Sequence, residues 1–443
     1  MKLIQVKEDS ILKINVHLIH LKLSLFMSSK EQIQSVWKNK EFLPFIFLRF
    51  SLIFALFIQS TSVAYEIFKV TQKEIYLGLI GLAEFFPILL TAFYAGQLVD
   101  KLDKRMIMVR SIGCFMTASF VLMIVNFPSV RDAIGIPAYL GICYFAFFIL
   151  GLTRSFSGPA LFALLSLVVK KENYTKAIPI SSSAFMIGSV LGPLAGGVIL
   201  AKFGIEAALI IAFSIMCISM IMILIISKKP AEISEAESTE SPLTRIKEGL
   251  KFIWATPIIL AVLSLDMFAV FFGGAESLLP AFVEKVLNQG SEVFGLLRSA
   301  HGIGSLIMMF FLSSIPALLK GNVGPRLLGA VAMFGVCIIS FGFTRNIYLC
   351  FGILMLGGAF DAISMVIRQS ILQIKTPENL KGRVSSVNSI FVSSSNELGA
   401  LESGIAATFL GLVPSIIFGG SMTILTVIVI ALLIKQIRKV ELK

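Results

Sequence analysis

Twelve apolar runs, each long enough to cross a bilayer, limit what this chain can fold into. They fall at about 42–70, 75–99, 106–127, 136–169, 176–200, 207–226, 257–282, 294–319, 327–343, 348–374, 383–410 and 413–434. A helix needs roughly 20 such residues to cross the hydrocarbon, and lipid offers the backbone no hydrogen-bond partner. Each run is therefore predicted to be a helix. The expected fold class is all-α, a polytopic membrane protein of twelve transmembrane helices. The long fourth, tenth and eleventh runs are predicted to tilt or overhang. Composition agrees, with 56% hydrophobic and 14% charged residues, where a soluble domain carries about 25% charged.

The formal charge of +12 points to a membrane surface rather than to nucleic acid. Its basic residues sit in short loops between apolar runs, not along one continuous face. Lys101, Lys104, Arg105, Lys170, Lys171, Lys228, Lys247, Lys320, Lys375 and Arg383 fall on one side, whereas the other side carries few. Positive charge stays in the cytoplasm, so both termini and the middle loop are predicted to be cytoplasmic, in a plasma (inner) membrane protein. The organisation follows: an N-terminal extension over 1–41, a six-helix bundle over 42–226, a middle loop over 227–256, a second six-helix bundle over 257–434, and a tail over 435–443. The loop begins polar and acidic, then becomes amphipathic from Leu243 to Trp254, a pattern predicted to lie along the inner membrane surface.

Within the extension, Ile11–Phe26 is interrupted by Lys13 and Lys22, and no small-residue cleavage site follows. That argues against a secretory leader. It leaves two readings open, a surface-lying amphipathic segment or a start at Met27. The five cysteines stand singly in apolar runs, without metal-ligand spacing, so neither a disulfide nor a metal is expected. Phosphate-binding and hydrolase signatures are absent, which excludes ATP as the energy source and leaves no enzyme to propose. The expected cofactor is none.

The two halves repeat. Glu172, Asn173, Ser183 and Phe185 recur as Glu378, Asn379, Ser389 and Phe391 at a constant offset of 206. Equivalent loops then follow spans four and ten, as parallel repeats of a six-helix unit require.

Between spans two and three lies the charge-rich stretch Gly96-Gln-Leu-Val-Asp100-Lys101-Leu-Asp103-Lys104-Arg105. Its spacing resembles the loop signature of the major facilitator superfamily. Tyr76–Pro87, Gly188–Gly197, Asp266–Gly273 with Leu279-Pro280, and Arg368–Val384 are similar to the enterobactin-exporter-like, drug-efflux branch of that superfamily. The resemblance covers about 42–434. It implies two six-helix bundles around a mid-membrane cavity, and a loop whose Gly96, Asp100, Lys101, Lys104 and Arg105 latch the halves.

Several residues are candidates for the site. Gly188, Gly192 and Gly196 recur every fourth residue with Pro193 beside them, which suits close backbone packing. The same pattern is similar to an antiporter motif, and the residues alone do not decide between the two. Arg154 lies mid-span and must find a carboxylate, a carbonyl or water. It resembles the superfamily's fourth-helix motif, with Ser157 standing where Gln is usual. Glu84, Asp266, Asp361 and Glu397 are intramembrane carboxyls suited to carrying protons. Asp361 and Arg368, seven residues apart, could share one polar stripe. Glu402 is also deep. Arg298 and His301 rank as weaker candidates near the outer end of span eight. Static ion pairs or packing hydrogen bonds are the competing readings for any one of these charges.

The function these readings favour is alternating access by a monomer in the lipid bilayer, moving a small amphiphilic molecule outward in exchange for protons. An importer, a lysophospholipid transporter or a non-transporting receptor of the same fold are the alternatives. Residues alone do not name the substrate.

Overall fold

A computed structural model of the chain describes residues 39–228, 242–315 and 321–442. The extension up to residue 38, with Met27, and the acidic part of the middle loop at 229–241 lie outside the described residues. Of Gly96 and Asp100 only the backbone is described, and it is helical.

Nine described helical stretches are long and apolar enough to cross a bilayer. Three further spans come from features that length and hydropathy pass over. Tyr174–Ile225 is one continuous stretch only nominally: Gly204, at φ 84°, turns the chain between α5 (174–203) and α6 (205–225). A residue with a Cβ is strained at that φ, so the break is written into the sequence. Ile75–Lys101 (α2) is strongly apolar only to Thr91. Lys381–Leu410 (α13) holds seven serines, because part of it faces a partner helix and a polar cavity rather than lipid.

The first bundle comprises α1 (Phe42–Thr71), α2, α3 (Lys104–Val125), α4 (Pro128–Val168), α5 and α6. After the middle-loop helix α7 (Pro242–Ala255) come α8 (Pro257–Phe272), α9 (Leu279–Lys285), α10 (Ser291–Ser314), α11 (Gly324–Phe343), α12 (Ile347–Lys375), α13 and α14 (Leu412–Leu433). Span seven is thus discontinuous rather than one run over 257–282. A 3-10 turn at Gly274–Leu278 separates α8 from α9. Gly274 permits this, since a Cβ there would stand 2.7 Å from the Gly399 carbonyl of α13.

The charge-rich loop is shorter than its sequence suggests. Helix α2 runs on to Lys101 and α3 begins at Lys104, leaving two residues between them. Asp103 caps α3 by accepting from the backbone N–H groups of Arg105 (2.8 Å) and Met106 (3.4 Å). The duplicated Glu-Asn sites become matching 3-10 turns, Lys171–Asn173 and Glu378–Leu380, each leading into the next span. Helix α7 docks on the start of α13, with Ile253 buried against Val384 and Val387 and with Arg383 paired to Glu248. The tail folds back as well: strand Glu441–Leu442 pairs antiparallel with Gly321–Asn322.

Candidate functional site

The bundles meet along two glycine-lined seams. Where α2 crosses α13, a Cβ on Gly78 would lie 3.0 Å from the Ala400 carbonyl, and one on Gly81 would lie 2.5 Å from the Glu397 carbonyl. Where α5 crosses α10, Gly197 and Gly295 approach so closely that a Cβ on either would come within 2.8 Å of the other's Cα. Both seams sit near the ends of the helices joined by the loops at 72–74 and 286–290. At that end Gln72 Nε2 donates to Glu284 (2.7 Å), and Lys285 binds the Gln72 carbonyl (2.9 Å) and Glu74 (2.7 Å).

Between the seams and the opposite, basic-loop end lies a cavity of about 720 Å³. Its wall is largely apolar, with a few charged groups in two clusters. In the first, the Arg154 guanidinium from α4 donates to Glu84 of α2 (2.8 Å) and lies 3.7 Å from Glu397 of α13. Glu84 belongs to the first bundle and Glu397 to the second, so this one arginine joins the halves. In the second cluster, His301 of α10 places Nδ1 3.0 Å from Glu276 and Nε2 3.5 Å from Asp361 of α12. An imidazole can donate to carboxylates at both nitrogens only when it carries two protons. The arrangement with both contacts formed is therefore that of a doubly protonated ring, and loss of one proton would give up one of the two contacts. Arg298, one helical turn earlier, donates to Ser60 of α1 at 3.4 Å and so also crosses between bundles.

The structure sorts the sequence candidates. Glu84, Arg154, Asp361 and Glu397 line the cavity, as do Arg298 and His301. His301 lies near the middle of α10, not at its outer end. Asp266 and Arg368 do not line the cavity: they pair with each other inside the second bundle, each side chain 7% exposed. Asp361 and Arg368 do not pair directly with each other. Two turns of helix separate their heights by about 10 Å, and each finds a different neighbouring helix. Glu402 is half-buried and lies off the cavity wall. Gly188, Gly192 and Gly196 pack on α1, against Phe50, Phe57 and Ile58, within one bundle. The residue after that stripe, Gly197, makes the crossing to the other bundle.

Arg105 donates to the carbonyls of Ile223 (3.3 Å) and Leu224 (3.0 Å), closing the C-terminal end of α6 within its own bundle. Lys104 is buried, and Lys101 is exposed at the helix end. Two cavity residues carried no weight in the sequence reading, Arg49 and Glu276. The first was visible as a lone cation inside an apolar run, and the second as an acid following the pair Gly273-Gly274.

Residues 50–442 match the family described as transmembrane secretion effector. The Staphyloferrin A transporter of Staphylococcus aureus is 26% identical over 355 residues, 80% of this chain and 86% of that protein. Enterobactin exporter EntS of Escherichia coli O1:K1 / APEC is 25% identical over 301 residues, 66% of this chain and 70% of its own length. A D-xylose-proton symporter shares the fold with a TM-score of 0.70 at 13% identity, over 90% of this chain and 99% of the other. So does an inward-facing, unoccupied bacterial homolog of the human lysosomal transporter Spinster, with a TM-score of 0.66 at 15% identity, over 90% and 95%.

Proposed function

The chain belongs to the transmembrane secretion effector family of the major facilitator superfamily, and from that premise we propose a proton-driven efflux permease for small amphiphilic organic molecules. The two relatives named above, one a transporter of a siderophore and one an exporter of another, make a siderophore-like metabolite the favoured cargo. Loading is from the basic-loop side, taken as cytoplasmic from the Lys/Arg bias, with both termini on that side. The protein would act as a monomer, with the proton gradient as its only energy source.

One observation carries this reading: Arg154 holds a carboxylate of each bundle at the wall of a cavity closed at one end. Alternating access needs a contact that is strong in one state and weak in the other. Neutralising a carboxylate removes its attraction to the guanidinium. At these separations that attraction is worth about 1 kcal/mol at the dielectric of water and about 4 kcal/mol at an effective dielectric of 20. A change of that size shifts a two-state equilibrium by about fivefold to about a thousandfold. Protonation at Glu397, the partner in the second bundle, thus loosens the tie between the halves, and deprotonation restores it. The His301 cluster offers a second proton store inside one bundle.

Proteoliposomes loaded with a fluorescent amphiphile and given an imposed proton gradient test the proposal. Gradient-dependent movement that collapses with a protonophore is the expected result. Movement indifferent to the gradient would remove proton coupling, and no movement of dyes or siderophores in either direction would leave only the receptor alternative.

A further inference from the structure

Arg154, Arg298 and His301 each have a polar partner across the cavity or beside it. Arg49 differs. It lines the cavity from α1, about 10 Å along the helix from Phe42 and hence near the basic-loop end. Its Nε is buried with no hydrogen-bond partner, and no ion pair reaches its guanidinium among the described residues. The contact it does make is with an aromatic face: the guanidinium carbon stands 5.6 Å from the ring centre of Phe185 on α5.

A cation left without a counter-charge in a largely apolar wall is costly, and an anionic guest relieves that cost. The guanidinium fork matches the two oxygens of a carboxylate, and stacking on a ring fixes the plane in which the fork lies. Carboxylates elsewhere in the wall are already engaged by Arg154 and His301. Resting on the transport reading above, we infer that Arg49, steadied by Phe185, is the docking point for a carboxylate of the cargo. Arg49 sits seven residues from the start of α1, on the basic-loop side from which cargo is taken to load. This makes the preferred cargo an organic acid with apolar bulk, its acid group held near the mouth and its apolar part deeper.

Equilibrium binding in nanodiscs of zwitterionic lipid tests this with a matched pair of probes, dansylglycine and its methyl ester. The carboxylate is expected to bind about tenfold or more tightly than the ester, as a bidentate charged contact should. Arg49→Gln should abolish that preference by weakening the carboxylate alone. Arg49→Lys, which keeps the charge without the fork, should fall between. Phe185→Leu, which leaves Arg49 in place, should narrow the preference and serves if Arg49→Gln does not fold. Equal affinity for the two probes in the unaltered protein, absence of binding included, would overturn the inference. So would a preference that survives in Arg49→Gln. Because this binding needs no gradient, the two readings fail separately. A protein with an Arg49-dependent preference that moves nothing under a proton gradient loses only the transport reading. One that transports but binds both probes alike loses only the role of Arg49.

Discussion

Arg154 and Arg368 each sit deep in a membrane-spanning helix against a carboxylate, and the same chemistry serves two different ends. Arg368 and Asp266 join α12 to α8 inside the second bundle and are almost fully buried. Arg154 joins α4 to α2 and α13, is 45% exposed to the cavity, and touches both bundles. A pair within one rigid body is the same in every state of that body and cannot bias an equilibrium between states. A pair between bodies can. An intramembrane arginine is a functional hypothesis by default, but the comparison shows that the deciding fact is which bodies its partners belong to.

The largest effect is expected at the buried pair. Arg368→Met leaves Asp266 buried without its counter-ion, which costs about 3–5 kcal/mol. The thermal midpoint in detergent should drop steeply, or the protein should be lost during purification. Asp266→Leu combined with Arg368→Met should recover most of the stability, because an apolar pair of similar volume is often neutral. Transport per folded molecule in that double variant should stay near normal. If it collapses while stability returns, the pair belongs to the mechanism and the distinction drawn above fails.

Arg154 should show the reverse profile. Arg154→Gln is expected to cut proton-driven transport by about fivefold to about a thousandfold, the range set by 1 to 4 kcal/mol of lost attraction. Its thermal midpoint should fall less than that of Arg368→Met, since the guanidinium is open to the cavity and water there can take its place beside Glu84. Glu397→Gln should leave downhill movement intact while removing its dependence on the gradient. A large loss of stability in Arg154→Gln, with coupling preserved, would make this cluster structural too.

Much of this architecture could be read from the residues, and the parts that could not share one cause. Span positions are local: each follows from about 20 apolar residues, and the Gly204 break and the duplicated Glu-Asn turns are local as well. Partner choice is not local. The spacing of Asp361 and Arg368 correctly puts them on one helix, yet His301 and Asp266 belong to helices that sequence spacing cannot orient. Helix α13 reads as only weakly apolar, and that weakness carried information, since its serines belong to a helix packed on α2 beside the cavity. Glu276 had only the neighbouring Gly273-Gly274 pair to mark it, because a helix break inside span seven leaves no trace in hydropathy. Arg49 stands in the sequence as a lone cation in an apolar run, with nothing local to say that it faces a cavity.

The glycine seam between α5 and α10 joins the bundles without any charge. Gly197→Val puts methyl groups where Ser291 and Gly295 backbone atoms stand. Overpacking costs about 1–3 kcal/mol, and here it would be felt only in the state with this end closed. The population should shift toward opening at that end. A cysteine placed at Ser60, in a background lacking the five native cysteines, should then label faster with an impermeant maleimide added from outside. Gly192→Val, whose clash is with α1 of the same bundle, should lower stability without raising labelling. Equal labelling in both variants would mean that the α5–α10 crossing is not the gate.

The smallest effect is expected at Arg105, and it decides how the charge-rich connection works. In this state Arg105 closes the end of α6 inside its own bundle, so Arg105→Ala should cost only about 0.3–1 kcal/mol of stability, the usual worth of a cation at a helix C-terminus. The resemblance that assigns this connection a latching role requires more of it in the opposite state, when the basic-loop ends of the bundles come together. Turnover should then fall in Arg105→Ala while the concentration giving half-maximal rate stays the same, because the cavity that binds cargo is untouched. A change in apparent affinity with unchanged turnover would place the effect in the cavity. Unchanged kinetics with only the small loss of stability would leave Arg105 a helix cap and move the latch elsewhere.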